Sequence, residues 1–298
     1  MKSQDKLSKS QKTSDVCRIL DFETDTAIKC PDHKSNFGLS ELLAAYTAVI
    51  YIFCGRGRVG KTFIANLLIK RLRRAGHPVL IVDAEGSNDG LRAFYDEGNG
   101  SADKVHHRSE QEETRDFIRR MVDLVTIQRG FAVWDAGGND RTLDDYAKSS
   151  RLRDYLKAKR IAVAVIYTFG DDLSDLSNIL TADKDRGYEA QKIILCANAG
   201  APPTKKYGVS GLRHRDPLAE VLSSPALEQL VSGGAGLMTI PRFDFTDQLN
   251  ALDLDVFDVI DGKSGSTGEP IGPSTQYEIE EWWKEVEAAF AEQEAWLP

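Results

Sequence analysis

The segment Gly55-Arg56-Gly57-Arg58-Val59-Gly60-Lys61-Thr62 reads G-x-x-x-x-G-K-T, and it lies between an apolar run over residues 49–54 and a helix-patterned stretch that begins at Phe63. This order of strand, loop and helix predicts a phosphate-binding P-loop. The glycines let the backbone curl so that successive N–H groups converge on phosphate oxygens, and the helix N-terminus adds the positive end of its dipole. We therefore expect residues 55–63 to bind a nucleoside triphosphate.

Residues at the end of this loop, and at the end of a later strand, have the chemistry that a triphosphate requires. The Lys61 ammonium group is expected to reach the β- and γ-phosphates, and the Thr62 hydroxyl group is expected to ligate Mg²⁺. Asp135 ends an apolar run over residues 131–135 and is followed by A-G-G, the last glycine being Gly138. Such a carboxylate holds the metal through water, and the Gly138 N–H group would sense the γ-phosphate.

A second acidic segment, Asp83-Ala84-Glu85, follows the apolar run that starts at Pro78. In an extended chain the outer two side chains point to the same side. We expect Asp83 to support the metal site and Glu85 to orient the water molecule that attacks the γ-phosphate. The structural alternative is a helix N-cap with a solvated turn acid.

The composition indicates one large α/β domain with appended ends. A chain of 298 residues with 41% hydrophobic content can bury one such core. No apolar run reaches about 18 residues and the start lacks a signal-peptide core, so we expect a soluble, cytoplasmic protein with no membrane segment. The net charge of −8 gives no overall nucleic-acid signal, so DNA would have to be bound by a local basic patch.

Strand-like and helix-like segments alternate through most of the chain. Buried strands are predicted over residues 49–54, 78–83, 131–135, 161–167 and 192–197, with a last one that ends at Ile240. Helical periodicity follows the P-loop, and Ser109-Glu110-Gln111-Glu112 has the form of a capping box that opens another helix. The pattern predicts a doubly wound α/β fold, in which a mainly parallel sheet is flanked by helices and ligands bind at the carboxyl ends of the strands.

Three regions are expected along the chain. Residues 1–45 are polar without a sustained period and predict a flexible N-terminal tail, and residues 46–260 would form the P-loop domain. Residues 261–298 would form a linker and an acidic amphipathic helix, with apolar residues at helical spacing: Ile279, Trp282, Trp283, Val286 and Phe290. Seven glutamates and one lysine lie between residues 277 and 296, so repulsion from anionic lipid favours packing on the core or on a partner.

With these motifs the chain resembles the ParA/MinD family of P-loop ATPases, of the SIMIBI class, over roughly residues 46–260. The family loop K-G-G-x-G-K-[ST] aligns with residues 56–62, so its signature lysine becomes Arg56 and its second glycine becomes Arg58. The family lysine reaches the partner's phosphate across a nucleotide-sandwich dimer. Arginine makes a bidentate, permanently charged phosphate contact, so the resemblance implies a catalytic role in trans for Arg56.

Further family positions concern hydrolysis and the base. The strand-ending D-x-D of the family corresponds to Asp83 and Glu85, and the longer second acid implies slow hydrolysis. Asn198 lies where the family has an asparagine that reads adenine, and Pro241-Arg242 resembles the loop that closes over the base. Because Asn198 is not followed by the K-x-D of guanine-specific proteins, ATP is favoured over GTP. The other interpretation of Asn198 is a turn former.

The resemblance implies an ATPase that dimerises on binding ATP and Mg²⁺ and that positions or partitions cargo such as plasmid DNA or a DNA-transfer complex. Non-specific DNA binding would use a basic stretch over residues 151–160, or one over residues 205–215 that includes Arg213 and Arg215. An unidentified partner protein would stimulate hydrolysis. Two alternatives are a metabolic P-loop enzyme, such as an ATP-dependent synthetase or small-molecule kinase, and a non-hydrolysing ATP-bound scaffold.

Overall fold

The apolar run that precedes the P-loop forms a central strand of a parallel sheet. The computed structural model describes residues 39–84, 90–95, 105–108, 112–137, 142–184, 186–202, 217–266, 268 and 270–298. Within them the strands are β1 Ala48–Cys54, β2 Val79–Asp83, β3 Val105–His107, β4 Gly130–Asp135, β5 Ile161–Phe169, β6 Lys192–Asn198 and β7 Gly236–Ile240. They lie in the order β3-β2-β4-β1-β5-β6-β7, and every neighbouring pair is parallel. The predicted doubly wound α/β fold is confirmed.

Helices cover both faces of this sheet. In the described residues they are α1 Leu39–Ala45, α2 Lys61–Arg74, α3 Arg92–Tyr95, α4 Thr114–Gln128, α5 Thr142–Ser150, α6 Leu152–Ala158, α7 Leu173–Lys184, α8 Pro217–Leu222, α9 Pro225–Ser232, α10 Thr246–Leu252, α11 Val256–Ile260 and α12 Pro273–Ala291. Successive side chains of a strand point to opposite faces. In β1, Ile50 and Ile52 therefore pack in the core with α4, α6 and α7. Tyr51 points the other way and donates its hydroxyl hydrogen to the carbonyl oxygen of Trp296, 2.8 Å away.

Strand β5 is a continuous run of mostly apolar residues and does not alternate between apolar and polar ones. All nine of its residues are buried, because β1 and β6 flank it and helices cover both faces. Burying each large aliphatic side chain contributes roughly 1.5–3 kcal/mol. The predicted strand over residues 161–167 is confirmed, and it extends to Phe169.

The predicted capping box at residues 109–112 is wrong. Helix α4 begins at Thr114, and its N-cap is Glu113, whose side chain makes no capping hydrogen bond. Glu112 lies before the helix, where its carboxylate accepts a hydrogen bond from Arg120, 2.8 Å from Nη2. Glu112 is thus bound by a residue within α4, and residues 109–111 lie outside the described residues.

Both ends of the described chain form helices. The last seven residues of the expected tail form α1, in which Leu42 is fully buried. The amphipathic helix predicted near the C-terminus is confirmed as α12, and it packs within the same compact unit as the P-loop, Gly38–Pro298. It is fastened to α2 by Arg71, whose Nη1 donates to the carbonyl oxygen of Leu297 (2.8 Å) and whose Nε pairs with Glu287 (3.1 Å).

Candidate functional site

The P-loop connects β1 to α2 at the carboxyl edge of the sheet, and two of its glycines have no space for a side chain. Gly55 has a φ of +142°, and a Cβ atom there would lie 2.2 Å from the carbonyl oxygen of Thr168. Gly60 has a φ of +88°, and its Cβ would lie 2.4 Å from Nδ2 of Asn198. The loop therefore runs tightly against the ends of β5 and β6, and Gly57 lies on its open side, where nothing is within 4 Å of a Cβ.

The residues predicted to bind phosphate and metal converge at the start of α2. The Thr62 hydroxyl group donates a hydrogen bond to Oδ2 of Asp135 over 2.5 Å. Asp135 ends β4, which pairs directly with β1, and its side chain is fully buried. Lys61 is also buried, with 4% of its surface exposed. Residues 73 positions apart in sequence are thus joined where the strand order brings β4 beside the P-loop.

Asp83 lies beside Asp135 at the next strand end. The two residues are register partners across β2 and β4, and Asp83 is only 3% exposed. The backbone returns to this carboxylate at Gly90, where a Cβ would lie 2.5 Å from Oδ2 of Asp83. Two buried carboxylates therefore lie on adjacent strands at the edge of the sheet from which the P-loop starts.

The donor set fits Mg²⁺. A hydroxyl group and one or two carboxylates are the usual protein ligands of this ion, which takes its remaining oxygens from water and phosphate. Among the described residues, no three His, Cys, Asp or Glu side chains cluster tightly enough to hold a metal ion by themselves. Thr62, Asp135 and Asp83 offer one hydroxyl group and two carboxylates of this kind.

The two arginines of the loop differ in conformation and contacts. Arg56 pairs with α7, because its Nε lies 3.1 Å from Oδ1 of Asp175 and its Nη2 lies 4.0 Å from Asp172. Arg58 is exposed and has a φ of +68°, in the left-handed region that favours glycine. A glycine would adopt this backbone conformation without steric strain, because it has no Cβ atom. Val59, the next residue, is buried.

Asn198 supports the loop directly. Its Nδ2 donates to the carbonyl oxygen of Val59 over 2.8 Å, and its Oδ1 accepts from the Gly200 N–H group over 3.0 Å. The side chain is 8% exposed, so the amide group ties the end of β6 to the P-loop. Each end of the amide retains one further hydrogen-bonding position, which is the capacity that contact with a base would use.

The predicted base loop lies after β7, beside the Asn198 turn. A Cβ at Gly200 would lie 3.6 Å from Cα of Arg242. Arg242 itself is exposed and pairs with Asp244, 2.5 Å from Nε to Oδ1. The carbonyl oxygen of Pro241 accepts a hydrogen bond from Nε1 of Trp282, over 3.1 Å.

An aromatic cluster at this loop was missed by the sequence analysis. Phe63, in the first turn of α2, has its ring 5.8 Å from that of Phe243 and 6.0 Å from that of Trp282. Phe245 meets Phe243 edge-on, with ring centroids 5.8 Å apart. The sequence signals were weak: Phe63 directly follows the G-K-T motif, but nothing local indicates that residues about 180 and 220 positions later would pack on it.

A second missed cluster surrounds Cys54, the residue before the P-loop. The Arg186 guanidinium group lies over two tyrosine rings, 4.9 Å from the centroid of Tyr167 and 5.2 Å from that of Tyr188. Burial raises the pKa of the Cys54 thiol, and the nearby Arg186 charge opposes that rise. Tyr167 and Tyr188 belong to the core cluster that includes residues of α4, α6 and α7, and Cys54 packs against it.

Several predicted functional residues lie outside the described residues. These are the proposed water-orienting acid, the switch glycine and the two arginines expected to contact DNA: Glu85, Gly138, Arg213 and Arg215. In the other basic stretch, Arg153 pairs with Glu189 at 2.7 Å, and Arg160 donates to the carbonyl oxygens of Ala44 and Ala45. Its charges are therefore partly used within the fold. None of the described helices is long and apolar enough to cross a membrane.

Comparison with known proteins gives distant structural similarity. The chain matches no protein-family model and no curated protein sequence. It is similar to a crystal structure of FlhF complexed with GMPPNP and Mg²⁺, at 13% identity over 51% of this chain and 56% of that chain, with a TM-score of 0.32. It is also similar to chloroplast FtsY from Physcomitrella patens, at 15% identity over 50% and 49%, with a TM-score of 0.35. The chain thus spans about half the length of each of these structures.

Proposed function

We propose that the chain binds a nucleoside triphosphate with Mg²⁺ and acts as a nucleotide-dependent switch. The observation that carries this proposal is the 2.5 Å hydrogen bond between Thr62 and Asp135, which joins the P-loop to the end of a neighbouring strand. Phosphate oxygens would be bound by the backbone N–H groups of residues 55–62 and by Lys61. Thr62, Asp135 and Asp83 would hold the metal ion, which would neutralise charge on the phosphates.

The proposed reaction is slow, partner-stimulated hydrolysis of ATP. Glu85 follows the Asp83 strand end by two residues, and it is the proposed group that orients the attacking water. ATP is proposed over GTP because Ala199-Gly200-Ala201 follows Asn198 in place of K-x-D. Because residue 201 is alanine where the K-x-D motif has aspartate, a guanine base would lack a carboxylate acceptor for its N–H groups.

The proposed output is a homodimer that assembles on ATP binding and positions cargo, as in the ParA/MinD family. Arg56 would contact the partner's phosphate, and DNA would be bound through Arg213 and Arg215. Two copies of a basic segment double the phosphate contacts, so DNA affinity should rise with ATP and fall steeply with salt.

Retention of ATP-loaded protein on DNA at low salt tests this step, and the Arg213→Ala and Arg215→Ala double variant should be released. If the wild type is not retained, DNA tethering is incorrect.

A monomeric nucleotide-dependent enzyme is the second candidate, and the contact of Arg56 with Asp175 favours it. An arginine already paired within its own chain need not reach across a dimer. A synthetase or small-molecule kinase would turn over ATP only with its second substrate, as a monomer and without stimulation by DNA. A scaffold that retains ATP would release no phosphate under either condition.

Replacement of Lys61 tests the nucleotide site itself. Lys61→Ala keeps the backbone N–H groups but removes the charge that follows the γ-phosphate, so ATP binding or hydrolysis should be lost. Lys157→Ala, an exposed lysine of α6, is the matched control and should bind ATP like the wild type. Calorimetric titration with Mg²⁺ and ATP measures the binding of both variants, and phosphate release measures their turnover. Unchanged binding and turnover in Lys61→Ala would contradict the proposed site.

A further inference from the structure

The two sides of the P-loop differ in chemistry. The buried carboxylates Asp83 and Asp135 end β2 and β4, which lie on one side of β1. On the other side lie β5, β6 and β7, of which β6 ends in Asn198 and β7 leads into the aromatic loop that contains Phe243. A metal ion and the terminal phosphate belong with the carboxylates. A nucleotide seated in the loop therefore directs its sugar and base toward β6 and β7.

The spacing of the sheet fits this direction. Neighbouring strands lie about 4.8 Å apart, so the ends of β6 and β7 are roughly 10–14 Å from the end of β1. That is about the distance from the middle phosphate of a nucleotide to its base. The turn after β6 and the loop after β7 also touch each other, since a Cβ at Gly200 would lie 3.6 Å from the backbone nitrogen of Phe243.

At this place the fold presents a supported aromatic surface. The rings of Phe63 and Phe243 are stacked at 27°, and both residues are only partly buried. Behind them lies Trp282 of α12, with its ring 4.5 Å from that of Phe243. The Trp282 indole is itself fixed by its hydrogen bond to the carbonyl oxygen of Pro241. The position of the Phe243 ring thus depends on the C-terminal helix.

We infer that Phe243 is the surface on which the base of the bound nucleotide stacks, and that Trp282 holds this surface in place. The inference rests on the proposed nucleotide site and identifies its base-binding side. Aromatic rings stack with any base because every base has a π-face. Stacking therefore contributes affinity for both purines, while the hydrogen-bonding positions around Asn198 are left to distinguish them.

Binding measurements on Phe243 variants test the inference. The probes are ATP, GTP and inorganic tripolyphosphate, each with Mg²⁺, and the readout is the dissociation constant by calorimetry. Phe243→Leu keeps an apolar side chain but removes the ring, and it should weaken ATP and GTP by about 5-fold or more. Tripolyphosphate, which has no base, should bind Phe243→Leu as it binds the wild type. Phe243→Tyr keeps the ring and should restore nucleotide affinity to within about twofold.

A matched variant controls for loss of packing. Phe257 lies in α11 and packs edge-on against Trp283, with ring centroids 4.6 Å apart, so Phe257→Leu makes the same change at another aromatic pair on α12. It should leave the affinities for nucleotide and tripolyphosphate unchanged. Equal losses for ATP and tripolyphosphate in Phe243→Leu, or no loss for either, would overturn base stacking. Wild-type protein that binds none of the three probes would refute the nucleotide site itself, so the two failures are distinguishable.

Discussion

Arg56 Nε donates a hydrogen bond to Oδ1 of Asp175 over 3.1 Å, which ties the P-loop to the first turn of α7. The Arg56 side chain is 39% exposed, whereas that of Asp175 is 5% exposed, so the acid is buried beneath the arginine. In the proposed dimer, Arg56 would be the residue that crosses to the partner subunit. In this chain the same side chain is already engaged with its own fold, and a contact in trans requires that this pair rearrange.

The first prediction concerns dimer formation. If Arg56 acts in trans, Asp175→Asn should increase the fraction of ATP-dependent dimer, because the charge that holds Arg56 in its own chain is removed. Arg56→Ala should bind ATP yet stay monomeric in sedimentation with Mg²⁺ and ATP. Asp172→Asn is the control, since Asp172 lies 4.0 Å from Arg56 and should have a smaller effect. An ATP-driven dimer of Arg56→Ala would reject the role in trans.

The second prediction concerns pH. Burial raises the pKa of Asp175, and Arg56 opposes this rise only in part. The folded protein therefore holds the Asp175 proton more tightly than the unfolded chain does. Through this residue, the free energy of unfolding should fall as the pH rises from about 4 through the raised pKa. Asp175→Asn has no titrating carboxyl group at this position, so its free energy of unfolding relative to that of the wild type should increase with pH. Urea unfolding of both proteins at pH 4 and pH 7 measures how far their free energies of unfolding differ. The same difference at both pH values would contradict the prediction.

The third prediction concerns the hydroxyl group of Thr62. Thr62→Ala removes the donor to Asp135 and the proposed metal ligand, so Mg²⁺-dependent ATP affinity should fall by about 10-fold or more. Thr62→Ser keeps the hydroxyl group and should retain most of the affinity. Titrating Mg²⁺ at fixed ATP separates this effect from general loss of nucleotide binding. Equal affinities of the alanine and serine variants would show that the hydroxyl group does not bind the metal.

The fourth prediction concerns the proposed water-orienting acid. Glu85→Gln removes the negative charge with little change in size, so ATP should bind normally while hydrolysis falls by about 10²-fold or more. The ATP-bound dimer should accumulate as a result. Single-turnover hydrolysis and sedimentation measure the two effects. Wild-type hydrolysis in Glu85→Gln would transfer the role to Asp83 or to water held by the backbone.

The fifth prediction concerns strain in the P-loop. Arg58 has a φ of +68°, and this conformation costs a residue with a side chain about 1 kcal/mol relative to glycine. Arg58→Gly should therefore raise the free energy of unfolding by up to about 1 kcal/mol. Arg119→Gly, at an exposed position within α4, should lower it by a similar amount. Denaturant unfolding measures both variants. Stabilisation by Arg58→Gly together with destabilisation by Arg119→Gly would support the assigned strain, and destabilisation by Arg58→Gly would contradict it.

Local patterns in the sequence were sufficient for the elements that local physics controls. The strand before the P-loop, the helix after it and α12 were predicted because apolar spacing reports directly which face of a segment is buried. The capping box at residues 109–112 was wrong for a related reason. A local motif does not show that the Glu112 carboxylate pairs with Arg120, eight residues later.

The sequence by itself determined the P-loop, the parallel α/β fold and the acids at the strand ends, because each depends on residues close together along the chain. Only the tertiary structure decided which of them meet. Strand order places β4 beside β1, so that Asp135 reaches Thr62, and it brings Asn198 to the carbonyl oxygen of Val59. The pairing of Arg56 with α7, and the packing of Phe243 on Trp282, likewise join distant segments. Such contacts have no local signature, because they follow from how strands and helices stack and not from the spacing within any one of them.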